Sequence, residues 1–112
     1  MVFGMRSPYL KLKKPALDAL LDTGLTGWLA INNQDAQSLG WILETKNEFM
    51  DTASGEARFD IYQGTVFLDG QEYIVPVFGG DELQEILLGV NWLQLKRLVA
   101  DFPTGVLTLL VT

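Results

Sequence analysis

The chain has 112 residues, 48% of them apolar, with a formal net charge of −6. That is sequence for one domain, able to bury about two-thirds of its unfolded surface in an unstapled core. Cysteine and histidine are both absent, which excludes disulfides, thiol nucleophiles, serine and cysteine triads and most zinc sites, and leaves acid–base chemistry to carboxylates or lysines.

Charge is spread unevenly. Arg6, Lys11, Lys13 and Lys14 gather early, whereas the remainder is strongly acidic. An acidic body repels phosphate backbones, so no nucleic-acid partner is expected. The early lysines read as a solvated edge strand guarded against stray pairing, with contact to a membrane surface or an anionic partner as the sharper alternative. No segment has the apolar length of a membrane span. Residues 1–14 are interrupted by Gly4, Arg6, Pro8 and three lysines, so no signal-peptide core is expected and the expected location is cytoplasmic. A single domain over residues 1–112 is expected, with residues 1–8 as a loosely ordered lead-in.

Tyr9-Leu10-Lys11-Leu12-Lys13 alternates and predicts a half-exposed strand. Residues 16–21 form an apolar run stopped by Asp22-Thr23-Gly24. Its length and the glycine favour a buried strand entering a tight loop, although its propensities also suit a helix. Leu25-Thr26-Gly27 continues that loop, and Trp28-Leu29-Ala30-Ile31 is a short buried strand. A two-turn helix follows, capped by Asn32 or Asn33 and closed by Gly40. Residues 41–44 are a strand, and residues 49–62 a hairpin turning within Asp51-Thr52-Ala53-Ser54-Gly55. Thr65-Val66-Phe67-Leu68 and Tyr73-Ile74-Val75-Pro76-Val77 flank Asp69-Gly70, the strongest hairpin signal in the chain. Phe78-Gly79-Gly80-Asp81 opens an acidic loop, Ile86-Leu87-Leu88 is a strand ended by Gly89, and residues 90–98 predict an amphipathic helix. Residues 106–111 are a final apolar strand. Many short strands with regular turn signals indicate a mainly-β barrel or sandwich.

Asp22-Thr23-Gly24 alone is weak evidence, since an aspartate and a glycine also suit an ordinary turn. Its setting strengthens it. An apolar strand precedes it, Thr26-Gly27 follows, and about 60 residues later Leu87-Leu88-Gly89 leads into a helical segment.

With these residues the chain resembles the retropepsin-like (retroviral-type, clan AA) aspartic proteases, and among them the small single-domain prokaryotic type. Leu21-Asp22-Thr23-Gly24-Leu25-Thr26-Gly27 matches the family's catalytic strand-to-loop motif. Leu87-Leu88-Gly89-Val90-Asn91-Trp92-Leu93 matches its second signature, and residues 49–60 match its flap. The resemblance implies a small closed β-barrel with one or two short helices and a flap hairpin. It implies Asp22 as the catalytic residue and Thr23 as a lock between two loops. Leu87, Leu88 and Gly89 would brace the active loop, and Asn91 would tie the helix to the core. Gly24, Thr26 and Gly27, with the flap tip Ala53, Ser54 and Gly55, would bind substrate. The flap departs from the family's usual Ala-Asp-Gly turn, which leaves open a peptide-binding or scaffolding module of the same fold with little or no hydrolysis.

The chemistry itself needs a pair of carboxylates. One carboxylate cannot serve as both acid and base toward a bound water, but two close together share a proton and divide the roles. The chain carries one such motif, so the resemblance implies a two-fold dimer acting on polypeptide substrates and needing no cofactor. Residues 106–111 are apolar on both faces, which suits a terminal strand interleaved between two copies; a central strand of a monomeric barrel is the alternative.

Other features have bland readings. Asp51-Thr52-Ala53 imitates the catalytic tripeptide without its glycine. Asp81, Glu82 and Glu85 have metal-donor chemistry but read as a solvated loop, so no metal is expected. Trp28, Trp41 and Trp92 read as core or dimer-face anchors, and Trp28 is also near enough to the active loop to line a pocket.

Overall fold

The computed structural model describes residues 3–6, 13–17, 19–52, 55–68, 70–101, 103 and 106–111. The chain is mainly β. Strands β1 (Phe3–Arg6), β2 (Lys13–Leu17), β3 (Leu20–Leu21) and β4 (Leu29–Asn32) precede one short helix, α1 (Asn33–Ser38). Then come β5 (Ile42–Thr52), β6 (Gly55–Leu68), β7 (Gln71–Gly80) and β8 (Leu87–Leu88). A 3₁₀ helix (Val90–Gln94) leads into β9 (Lys96–Asp101) and β10 (Val106–Val111).

The first eight strands form one sheet, ordered β2-β1-β6-β7-β4-β8-β3, with β5 also on β6, and it curls as a half-barrel. The long strand β6 is its spine, pairing antiparallel with β1, β5 and β7. Strand β4 pairs in parallel with β7, and the parallel pairing of β3 with β8 brings the chain's two motif segments side by side.

The β6–β7 hairpin follows its alternation: Val66, Leu68, Val75 and Val77 are buried, while Gln71, Glu72, Ile74 and Pro76 are exposed. Leu68 pairs with Gln71, and Gly70 takes the positive φ of 80° that a two-residue connection demands. Strand β4 is covered on both faces. Leu29 and Ile31 enter the main core with Trp41, Val66, Val77 and Trp92, whereas Ala30 joins a smaller cluster with Leu25, Phe59 and Phe78. A continuous apolar run is what such a doubly buried strand requires.

Helix α1 is capped at both ends. Asn32 Oδ1 accepts the Gln34 N–H at 2.8 Å. At the other end Trp41 N–H donates to the Ala36 carbonyl and Gly40 N–H to that of Gln37. This is a Schellman closure with Gly40 at φ 71°.

Several elements differ from expectation. Residues 3–6, expected as part of a loose lead-in, form β1, where Met5 enters the core at 1% exposure. The lysine-bearing edge strand is β2, at one end of the sheet, while Tyr9-Leu10-Lys11-Leu12 lies outside the described residues. Residues 16–21 split between β2 and β3. The strand expected over residues 41–44 and the hairpin expected over residues 49–62 are one hairpin of β5 and β6, because β5 runs unbroken through two register shifts. At Asn47 the backbone reaches φ 56°, and its N–H donates to Asp60 Oδ1. Phe78-Gly79-Gly80 completes β7 instead of opening a loop, since its backbone pairs with Ala30, Ile31 and Asn32.

The helix expected over residues 90–98 stops at Gln94. Trp92 is buried but Leu95 is exposed, so the apolar period fails after one turn, and residues 96–101 instead pair along β10. Among the described residues β10 pairs with β9 alone, in a separate two-stranded sheet. That removes the reading of residues 106–111 as a central barrel strand.

Candidate active site

Asp22 stands one residue beyond β3, and its position is set by β8. Leu20 and Leu21 pair in parallel with Leu87 and Leu88, and the Asp22 N–H donates to the Leu88 carbonyl at 2.9 Å. The chain then turns sharply: Leu25 N–H donates to the Asp22 carbonyl, and Gly24 N–H to Asp22 Oδ1 at 2.9 Å. One carboxylate oxygen is thereby oriented by the loop's own backbone, a local aspartate turn. Asp22 is half-buried, while Thr23, Gly24 and Thr26 are exposed at the corner.

Behind this corner the second motif interlocks with the first. Gly89, Val90 and Asn91 donate their N–H groups to the carbonyls of Trp28, Leu25 and Gly27, at 2.9–3.0 Å. A Cβ at Gly89 would drive into the Gly27 carbonyl oxygen. Asn91 thus reaches the loop through its backbone. Trp92, fully buried, donates its indole N–H to the Trp28 carbonyl at 2.6 Å and meets the Trp28 ring edge-to-face at 4.8 Å. Trp28 is half-buried against the main core and Trp41 lies within it; neither borders the cleft described next.

Asp22 opens onto a cleft of about 480 Å³. Leu25, Ala30, Phe59, Leu83 and Leu87 supply its apolar lining. Arg58 enters from the β5–β6 hairpin, and Asp81 and Glu82 from the loop after β7. The Arg58 guanidinium lies over the Phe49 ring, 4.5 Å from its centroid. A cleft of this size, lined by both apolar and charged side chains, suits one or two side chains of a ligand.

The loop carrying Asp81 is held from β4 and α1. Asn32 Nδ2 donates to the carbonyls of Asp81 and Leu83, and Asn33 Nδ2 donates to Asp81 Oδ1 at 2.6 Å. Buried Tyr62 donates its hydroxyl to Asn33 Oδ1 at 3.1 Å. A Cβ on Gly79 would collide with Asn33 and the Tyr62 ring. The expected acidic loop is therefore a cleft wall. Its partners lie 48 to 51 residues away in sequence, beyond any local signal. Among the described residues no three Asp or Glu side chains converge as a metal site.

Of the remaining expected site residues, Leu88, Gly89 and Gly27 are buried beneath the loop. Gly55 is exposed with φ 113° and pairs with Thr52 at the end of the β5–β6 hairpin. Ala53 and Ser54 lie outside the described residues. Sequence reasoning missed Ala30, Arg58, Phe59 and Leu83 as cleft residues, and Asn32 and Asn33 as its supports.

The fold is that of the retropepsin-like aspartic proteases. A solved retropepsin-like aspartic protease from Rickettsia conorii superposes with a TM-score of 0.59 at 23% identity, covering 97% of this chain and 91% of that one. No protein-family model and no curated protein matches the sequence. Among the described residues no helix is long and apolar enough to cross a membrane.

Proposed function

We propose that the chain is an aspartic endopeptidase that works as a homodimer, with Asp22 of each copy forming the acid–base pair. The observation that carries this reading is Asp22 itself. It lines the cleft, with Oδ1 tied by the Gly24 N–H, next to the corner where Thr23 and Gly24 are exposed. A two-fold axis at that exposed corner would bring two such carboxylates together. Mutual repulsion then keeps one proton between them. The ionised member takes a proton from water as it attacks the peptide carbonyl, and the protonated member hydrogen-bonds the carbonyl oxygen. Proton return to the leaving nitrogen completes hydrolysis with no covalent intermediate.

The remaining roles follow from position. Thr23, exposed beside Asp22, would join the two loops across the axis. Gly24 and Thr26 would border the substrate backbone, and the β5–β6 hairpin, whose second strand begins at Gly55, would close over it as a flap. Strand β10, with β9 as its single described neighbour, suits pairing with the terminal strand of a second copy.

Asp22→Asn keeps the side-chain shape and the Gly24 bond while removing the titrating group. It is expected to remain folded and dimeric and to lose at least about a hundredfold in cleavage of unfolded polypeptide at acidic pH. Undiminished cleavage would remove Asp22 from the mechanism. A monomer at high protein concentration would remove the paired site.

A further inference from the structure

We infer that Asp81 is a specificity-determining carboxylate, positioned by Asn33 and Tyr62, that selects a lysine or arginine side chain of the substrate in the cleft beside Asp22. The inference rests on the peptide-binding reading above and names the side chain the cleft prefers. Asp81 differs from an ordinary surface carboxylate in how it is held. Tyr62, 2% exposed, donates to Asn33, 9% exposed, which donates in turn to Asp81 Oδ1. Asn32 fixes the same loop through the backbone carbonyls of Asp81 and Leu83. A relay anchored in the core thus ends on a carboxylate at the cleft wall, where Oδ1 is held and, among the described residues, none holds Oδ2.

The rest of the cleft suits a long cationic side chain. Leu25, Ala30, Phe59, Leu83 and Leu87 can pack an aliphatic stem, while Asp81 and Glu82 meet the charged head at the rim. Arg58, the one cation lining the cleft among the described residues, lies on the hairpin side with its guanidinium over Phe49. It would repel a basic head, and so directs it to the Asp81 wall. The acidic balance of the whole chain, −6, adds attraction for a basic peptide.

The test uses extended peptides that carry lysine, arginine or norleucine at one position at a time, norleucine keeping the stem without the charge. Binding is read by fluorescence anisotropy on full-length Asp22→Asn protein, and cleavage on the native chain. At the position seated in the cleft, lysine or arginine is expected to bind about fivefold to tenfold tighter than norleucine, from one charge-assisted hydrogen bond at a partly solvated site. That ratio should shrink with added salt. Asp81→Asn, which can still accept from Asn33, should lower the ratio to the small remainder that Glu82 supplies, and Tyr62→Phe should lower it part-way. A merely structural role for the relay would weaken all peptides equally and leave the ratio intact. Cleavage without basic preference at any position overturns the inference and spares the peptidase. Basic preference in binding without cleavage supports the inference and overturns the peptidase. Absence of both binding and cleavage overturns both.

Discussion

Trp92 and Trp28 are joined twice: the Trp92 indole N–H donates to the Trp28 carbonyl at 2.6 Å, and the two rings meet edge-to-face at 4.8 Å. This pair ties the 3₁₀ helix to the end of the Asp22 loop. Trp92→Phe keeps an aromatic ring but loses the bond and some volume. A loss of about 1–2 kcal/mol is expected by urea unfolding. The Trp28 carbonyl still receives the Gly89 N–H, which limits the cost. A change within error would show that the indole bond contributes little.

Gly89→Ala tests the interlock directly. The backbone there has φ −81°, open to any residue, so only space excludes a side chain. The neighbour a Cβ would strike is the Gly27 carbonyl oxygen, which itself accepts the Asn91 N–H. Backbone cannot swing aside as a side chain can. Destabilisation of about 1–3 kcal/mol is expected, with loss of any peptidase activity. Native stability in the variant would mean that the loop yields there.

Asn32 has two separable tasks. Oδ1 caps α1, and Nδ2 holds the loop that carries Asp81. Asn32→Asp retains the cap and sets a carboxylate against two carbonyls, whereas Asn32→Ala loses both functions. Alanine is expected to cost about 1–2 kcal/mol in overall stability. Aspartate should show faster amide exchange confined to residues 81–85. Equal exchange in the native chain and the aspartate variant would argue against the clamp.

Paired active sites predict a mixing effect. If subunits exchange freely, an equimolar mixture of native chain and Asp22→Asn leaves about one quarter of the dimers with two intact aspartates. Specific activity should fall to about that fraction of the value for the same total native protein. Activity at half the unmixed value would indicate that each chain works alone. Dilution should lower specific activity as dimers dissociate.

Legibility in the sequence followed distance along the chain. The turn at Gly70 and the helix stopped by Gly40 are encoded within a few residues, and each appears where local chemistry places it. Residues 90–98 misled because Trp92 begins a helical period that exposed Leu95 does not continue, and pairing with β10 claims the backbone from Lys96 onward. Phe78-Gly79-Gly80 has the composition of a loop, yet the glycines serve close packing: Gly79 makes room for Asn33 and Tyr62 inside the sheet.

The order of residues alone limited any acid–base chemistry to carboxylates or lysines and placed Asp22 at a strand-to-loop corner. Those conclusions need only residue type and local spacing, because turns and strand ends are governed by neighbours a few positions apart. Which side chains wall the cleft was decided by the curl of the sheet. Parallel pairing of β4 with β7 sets Asn32 opposite Gly80, and so brings Asp81 within reach of Asn33. Contacts made across half the chain leave no periodic trace in it, since any of many residues has the chemistry to make them and only the folded backbone selects which do.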